Sequence, residues 1–182
     1  MSRSRGFTLI EILVVIFILG ILSTLVVGGI TIATKRSQLA TAQLVVGKLD
    51  TALEKYITDE GRYPGQSELG RFQTNRNYFP LYYEAVLGAR RPEGRGGRGA
   101  PYARLDHKNV AVKGEDGVYR RSSRAETEDS SVDKFYLDPW NQPYVYRPRQ
   151  RPRGARPSIY SLGPNEVDDT TLGEDGDDIG NW

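Results

Sequence analysis

The sequence predicts an α+β chain in which one long N-terminal helix packs on a small antiparallel sheet. Three observations predict it. An almost unbroken apolar stretch runs from Ile12 to Ala33. A seam of Leu39, Ala42, Val46, Leu49, Leu53 and Tyr56 then follows in steps of three and four, the spacing of one helix face. From Phe135 onward, short aromatic-rich segments alternate with Pro, Gly and Asn turns, the pattern of short strands.

The apolar stretch of 22 residues would span ~33 Å as a helix, enough to cross a ~30 Å hydrocarbon core. A secretory signal peptide has a shorter apolar region and small residues at its cleavage site. Here Lys35-Arg36-Ser37-Gln38-Leu39-Ala40 continues the helical pattern instead. A plain single-pass anchor fits the length but leaves Glu11 unexplained. An unpaired carboxylate at membrane depth costs about 2.5–3.5 kcal/mol or more, so Glu11 needs a partner, and that need points to assembly. Arg3 and Arg5 place the N-terminus on the cytoplasmic side, although Lys35 and Arg36 flank the other end. Opposite the amphipathic seam lie Lys48, Asp50, Glu54 and Lys55, and the helix is expected to stop at Gly61, with Pro64 beyond. The seam is too short for an independent coiled coil and is expected to dock on the chain's own sheet. Gly28-Gly29 weaken the helix locally or allow close helix packing.

The contiguous string Gly6-Phe7-Thr8-Leu9-Ile10-Glu11, followed by a spanning helix, closely resembles the class III signal of type IV pilins and type II secretion pseudopilins. The resemblance implies cleavage after Gly6 by a prepilin peptidase and methylation of the new N-terminus, Phe7. It also implies pairing of Glu11 with the N-terminal amine of a neighbouring subunit. A proline common in the family near Gly28-Gly29 is absent here.

Residues 61–134 are the least legible part. Arg62-Tyr63-Pro64 resembles the turn that ends the long helix in major pseudopilins. Phe79 to Gly88 suits a short helix, Arg90 to Ala100 reads as a Gly/Arg-rich loop, and Ser122 to Asp133 as another loop. The region is longer than the family leads one to expect, which implies an insertion. The Gly/Arg run lacks interleaved aromatic residues and lies on a domain outside the cytoplasm, which argues against nucleic-acid binding. Phe135 to Tyr146 reads as two short aromatic-rich strands around an Asp138-Pro139 turn. Ser158 to Leu162 reads as a third strand, with the Pro/Arg stretch from Arg147 to Pro157 as the connecting loop.

Mean hydropathy is -0.52 despite the apolar helix, so the remainder is polar. The net charge of +2 conceals segregation: five arginines and no acid in 147–156, seven acids and no base in 161–182. There is no cysteine, so stability outside the membrane must come from packing, assembly or a metal. Clustered carboxylates with Gly and Asn suit a hard cation, which takes several oxygens on a bendable backbone. The spacing does not fit an EF-hand. A solvated acidic tail is the plainer reading, but Ile179 and Trp182 close the segment with apolar residues such a tail does not need.

Asp138-Pro139-Trp140, Pro143-Tyr144, Tyr160-Ser161-Leu162-Gly163 and Asp177-Asp178-Ile179-Gly180-Asn181-Trp182 resemble the C-terminal half of the major pseudopilin of type II secretion. Residues 6–64 and 135–182 carry the resemblance. It implies a type IV pilin-like fold with a C-terminal loop holding one structural calcium ion (Ca2+). The ligand set implied here is the Leu162 carbonyl with Asn165, Asp175, Asp177 and Asp178. The family has aspartate where this chain has Asn165, which removes one charge, and Gly176 stands where another polar residue is expected.

The organisation expected is a leader at 1–6, an assembly helix at 7–33, its amphipathic half at 34–60, a variable region at 61–134 and an antiparallel β region at 135–182. The resemblance implies a structural subunit of the type II secretion pseudopilus, single-pass in the inner membrane with its C-terminal domain periplasmic, and periplasmic as a fibre. Implied partners are other copies of the chain, minor pseudopilins, the prepilin peptidase/methyltransferase, and an inner-membrane platform with its ATPase. A type IV pilus major pilin, for adhesion or motility, or a minor pseudopilin, stays open as an alternative. Such pilins often carry a disulfide this chain cannot form, and minor pseudopilins often lack the acid at Glu11. An enzyme is not expected. His107 is the single histidine and reads as a surface residue, and no nucleophile motif is present.

Overall fold

A computed structural model describes residues 8–65, 76–88, 101–129, 131–148, 156–169 and 176–182, without the side chains of 25–27. The chain divides between Gln38 and Leu39 into two compact units. Helix α1 (Leu9–Glu60) contributes to both.

In the first unit, the described side chains of α1 are exposed up to Ser37, among them Leu13, Ile16, Phe17 and Ile30. The helix is long and apolar enough to cross a membrane. Its hydroxyls are satisfied locally: Ser23 donates to the Leu19 carbonyl, Thr24 to Ile21, Thr31 to Gly28 and Thr34 to Ile30. Back-bonding of this kind lets Ser and Thr sit in an apolar segment without orphaned groups. The helix passes through Gly28 and Gly29 unbroken, and a Cβ at either would meet nothing within 4 Å. Among the described residues, nothing requires glycine there.

In the second unit, the seam is buried as expected at Ala42, Val46, Leu49, Leu53 and Tyr56, joined by Ala52. Leu39, where the seam was expected to begin, is 38% exposed, so burial starts one turn later. The helix ends at Gly61, whose φ of +70° and N–H to the Ile57 carbonyl make the left-handed cap that glycine adopts without strain. The buried face packs against Phe79, Tyr82, Val86, Val110, Tyr144, Tyr146 and Ile159. Each such burial is worth roughly 1.5–3 kcal/mol. The tyrosines also carry polar handles: Tyr82 Oη donates to the Leu49 carbonyl at 2.6 Å and Tyr146 Oη to the Pro64 carbonyl at 3.0 Å.

The expected short helix is α2 (Phe79–Tyr82) running into a π-helical turn (Tyr83–Leu87). Asn77 ties its start to the core, donating to the Tyr144 carbonyl and accepting from the N–H groups of Phe79 and Tyr146. Strands β1 (Val110–Lys113), β2 (Tyr119–Arg121) and β3 (Lys134–Tyr136) form one antiparallel sheet in the order β2-β1-β3. Strands β4 (Val145–Arg147), β5 (Ser158–Ser161) and β6 (Ile179–Gly180) form a second, β4-β5-β6. The single small sheet expected from the sequence is thus two. The cause lies between β3 and β4, which are joined not by a ladder but by an isolated Leu137–Pro143 bridge, the Tyr144 N–H to Tyr136 carbonyl bond and the Asp138 N–H to Gln142 carbonyl bond. Pro139 and Pro143 lack the N–H groups a continuous ladder needs.

The expected loop at Ser122–Asp133 contains a helix, α3 (Arg124–Glu128). Ser123 and Glu126 form a reciprocal capping box: the Ser123 hydroxyl accepts from the Glu126 N–H and the Glu126 carboxylate accepts from the Ser123 N–H. Lys134 is buried with its ammonium on Glu84 at 2.9 Å and on the Asp129 and Val132 carbonyls, which fixes this segment to the π-helical turn. His107 is exposed, as expected. The Gly/Arg run from Arg90 to Ala100 lies outside the described residues.

Candidate assembly and cation-binding sites

At the N-terminal end, Glu11 lies in the first turn of α1. Its Oε2 accepts from the Thr8 backbone N–H and from the Thr8 hydroxyl, each at 2.8 Å, while Thr8 Oγ1 accepts from the Glu11 N–H at 3.3 Å. This is a capping box, Thr-x-x-Glu, and it satisfies orphaned donors at the helix start. Glu11 therefore has a partner within a single chain, which the sequence reading did not anticipate. The Thr8 bonds hold the carboxylate at the positive end of the helix. Gly6 and Phe7, the expected cleavage site and methylated residue, lie outside the described residues.

At the C-terminal end, the acidic loop is built from the Asp138-Pro139 turn upward. Asp138 is buried; its Oδ1 accepts from the N–H groups of Trp140 and Gln142, and its Oδ2 from the Ser161 hydroxyl at 2.6 Å. Burial raises its pKa, and these bonds oppose the shift. Ser161 Oγ in turn accepts from the Gly163 N–H. The turn thus positions the end of β5, and Asp138 is structural.

After β5, Leu162 leads into Gly163, which has a φ of +71°. A Cβ there would collide with the Asp177 carbonyl and lie 2.9 Å from Asp177 Oδ1, so this position must be glycine. The reversal brings two distant acidic stretches together. The Asn165 N–H donates to Asp177 Oδ2 at 3.1 Å, and the Asp169 N–H to Asp178 Oδ2 at 2.9 Å. One ligand oxygen each from Asp169, Asp177 and Asp178 lie within 4.8 Å of one another. Asp177 Oδ1 and Asp178 Oδ1 are shut off from solvent without a hydrogen-bond partner. Burial, and next the Asp168 charge, push the Asp178 carboxyl up to about 7. Carboxylates crowded in this way, with orphaned buried oxygens, are the donor set a hard cation requires. The residues present fit calcium.

Of the expected ligands, Leu162, Asn165, Asp177 and Asp178 share this loop, while Asp175 lies outside the described residues. The side-chain oxygen of Asn165 accepts from the Val167 N–H, and its amide nitrogen faces Asp169 Oδ2 at 2.5 Å. Asp169, only 5% exposed, was not singled out from the sequence; its place in a run of acids carried no distinguishing signal. Asp168 is engaged elsewhere, paired with Arg147 and accepting from Tyr160 Oη. The loop is closed by β6 and by Trp182, whose ring packs on Tyr160 and covers Gly180. Asn181 fastens that end to the helix, donating to Asp50 at 2.6 Å and accepting from the Ile159 N–H.

Comparisons with known proteins bear on both ends. Residues 1–27 match the family described as the prokaryotic N-terminal methylation motif. The chain is 34% identical over 186 residues to a type II secretion system core protein G of Klebsiella pneumoniae, covering 100% of this chain and 96% of the relative. It is 30% identical over 182 residues to the protein of the same name from Pseudomonas aeruginosa, covering 99% and 96%. A fimbrial protein of Neisseria meningitidis is 30% identical over 85 residues, 47% of this chain and 50% of the relative. No solved structure matches. The fold of one long helix with antiparallel sheets, the methylation motif and the full-length identity agree: the chain belongs to the type II secretion system core protein G family, the major pseudopilins.

Proposed function

We infer that this chain is the structural subunit of the type II secretion pseudopilus, processed by a prepilin peptidase and assembled into a helical fibre that helps export folded proteins. The observation that carries the reading is full-length identity to core protein G relatives together with the methylation motif at residues 1–27. The fimbrial relative covers under half of the chain, so the pilus reading has the weaker support.

Cleavage after Gly6 frees the Phe7 amine, which is then methylated. The apolar part of α1 holds the subunit in the inner membrane before assembly, and its exposed side chains suit a lipid or neighbouring-helix environment. Glu11 meets the Phe7 amine of a neighbouring subunit and sets register, since a charged pair in a low-dielectric setting tolerates little displacement. The C-terminal unit lies in the periplasm. Minor pseudopilins, a membrane platform and its ATPase complete the machinery. The chain's role is structural, without catalysis.

The acidic loop holds one calcium ion through Asp177 and Asp178, with the Leu162 carbonyl and Asp175 as further candidates; Asn165, expected among the ligands, has its side-chain oxygen engaged by the Val167 N–H. The ion would supply the positive charge these crowded oxygens lack. Asp138, Ser161 and Gly163 orient the loop.

The test is co-expression with a prepilin peptidase and the secretion assembly machinery. N-terminal sequencing should begin at Phe7, and sheared fibres should contain the chain. A cut elsewhere, or processed chain that never leaves the membrane fraction, would contradict the reading.

A further inference from the structure

Within the calcium reading, on which this inference rests, the loop shows a division of labour. Asn165 is neutral, and the structure turns its amide nitrogen toward Asp169 Oδ2 at 2.5 Å, while its oxygen is taken by the Val167 N–H. Its side chain thus presents a donor, not an acceptor, to the cluster. Asp169 has the opposite character. It is 5% exposed, and a ligand oxygen of its carboxylate lies within 4.8 Å of those from Asp177 and Asp178. Its own N–H holds Asp178 Oδ2 at 2.9 Å.

Two further features give Asp169 this place. A Cβ on Gly176 would lie 2.6 Å from Asp169 Cβ, so glycine at 176 lets the two strands of the loop close with Asp169 inside. Arg147 takes Asp168 into an ion pair, so of the two adjacent aspartates only Asp169 is left to the cluster. Independently, the Oδ1 atoms of Asp177 and Asp178 are buried without a hydrogen-bond partner among the described residues, a setting that suits a cation. A chain that hid a third carboxylate beside them without a cation would add repulsion at an already desolvated site.

We propose that Asp169 is a cation ligand in this chain, supplying the negative charge that Asn165 lacks, and that Asn165 serves as the positioning residue that aims it.

The test uses the full chain in detergent micelles, melted with calcium chloride or with chelator and titrated with calcium by calorimetry. The wild type should melt several degrees higher with calcium. Asp169→Asn should bind calcium at least about tenfold more weakly, with its melting point in chelator not below that of wild type. Asn165→Ala, which keeps every carboxylate, should weaken binding by a smaller factor and serves if Asp169→Asn does not fold. Glu166→Gln, in the same loop but outside the cluster, should bind as wild type does. Wild-type affinity in Asp169→Asn overturns the ligand assignment and leaves the calcium reading standing. Unchanged affinity in Asn165→Ala overturns the positioning role. No calcium response in the wild type overturns the calcium reading itself, and the inference with it.

Discussion

Glu11 and Asp169 sit in opposite ends of the chain, and each is a carboxylate held by a nearby donor. Glu11 is held by Thr8, three residues away, on an exposed helix turn. Asp169 is held by Asn165 and is almost fully enclosed by its own chain, beside residues eight and nine positions later. The first acid is capped on an exposed turn, and the second is already surrounded. In the reading proposed above, a charge of the first kind serves assembly and one of the second serves the stability of one fold.

The largest expected effect breaks the N-terminal half of this contrast. Glu11→Ala should be cleaved after Gly6 yet fail to enter fibres, because losing a partner worth about 3 kcal/mol lowers subunit association by roughly a hundredfold. Its C-terminal unit should melt as wild type does. Normal fibre yield would remove Glu11 from the account.

Gly163→Ala addresses the other half. The new Cβ would meet Asp177 at a backbone φ of +71°, so a stability loss of about 3 kcal/mol should follow, with loss of the calcium response. A melting point unchanged from wild type would mean the loop does not close as described.

Solution pH sharpens the contrast further. Burial and the neighbouring Asp168, Asp169 and Asp177 charges raise Asp178 to about 7, above the ordinary 3.8. The Asp169 N–H opposes the shift, and Arg147 is engaged with Asp168. A carboxyl raised in the folded state binds its proton more tightly folded than unfolded. Its contribution is present below the unfolded pKa and lost as pH rises through the window from about 4 to about 7. Chelator-treated protein should therefore melt lower at about pH 8 than at about pH 5, and calcium should remove that decline. A rise with pH in chelator would contradict the crowding described here.

The smallest effect is Glu166→Gly. Glu166 has a left-handed φ of +62°, and its carboxylate accepts a hydrogen bond from Gln142 at 2.8 Å. Relief of that backbone should outweigh the exposed hydrogen bond and raise stability by up to about 1 kcal/mol in a melt.

The two ends also differ in how far they could be read from sequence. The N-terminal function lies in a contiguous string, Gly6 to Glu11, and in helical spacing that predicts the buried face at Val46, Leu49, Leu53 and Tyr56. Local chemistry is enough there. The Thr8 cap was visible as Thr-x-x-Glu but stayed hidden inside the longer string, and Ser123-x-x-Glu126 likewise announced a helix in what read as loop. At the other end, Asp177 and Asp178 were singled out by resemblance, and the structure brings them together with Asp169. Asp169 was not singled out, because its role depends on a reversal at Gly163 and on a close approach to Gly176, neither of which has a periodic signal. The split into two sheets was equally hidden, since it follows from which N–H groups Pro139 and Pro143 fail to supply.

The most direct test is an electron cryo-microscopy map of the assembled fibre. The account predicts a core of packed N-terminal helices in which the Glu11 carboxylate lies within hydrogen-bonding distance of the Phe7 amine of a neighbouring subunit. A map in which Glu11 contacts only its own Thr8, with the neighbour's amine elsewhere, would contradict it.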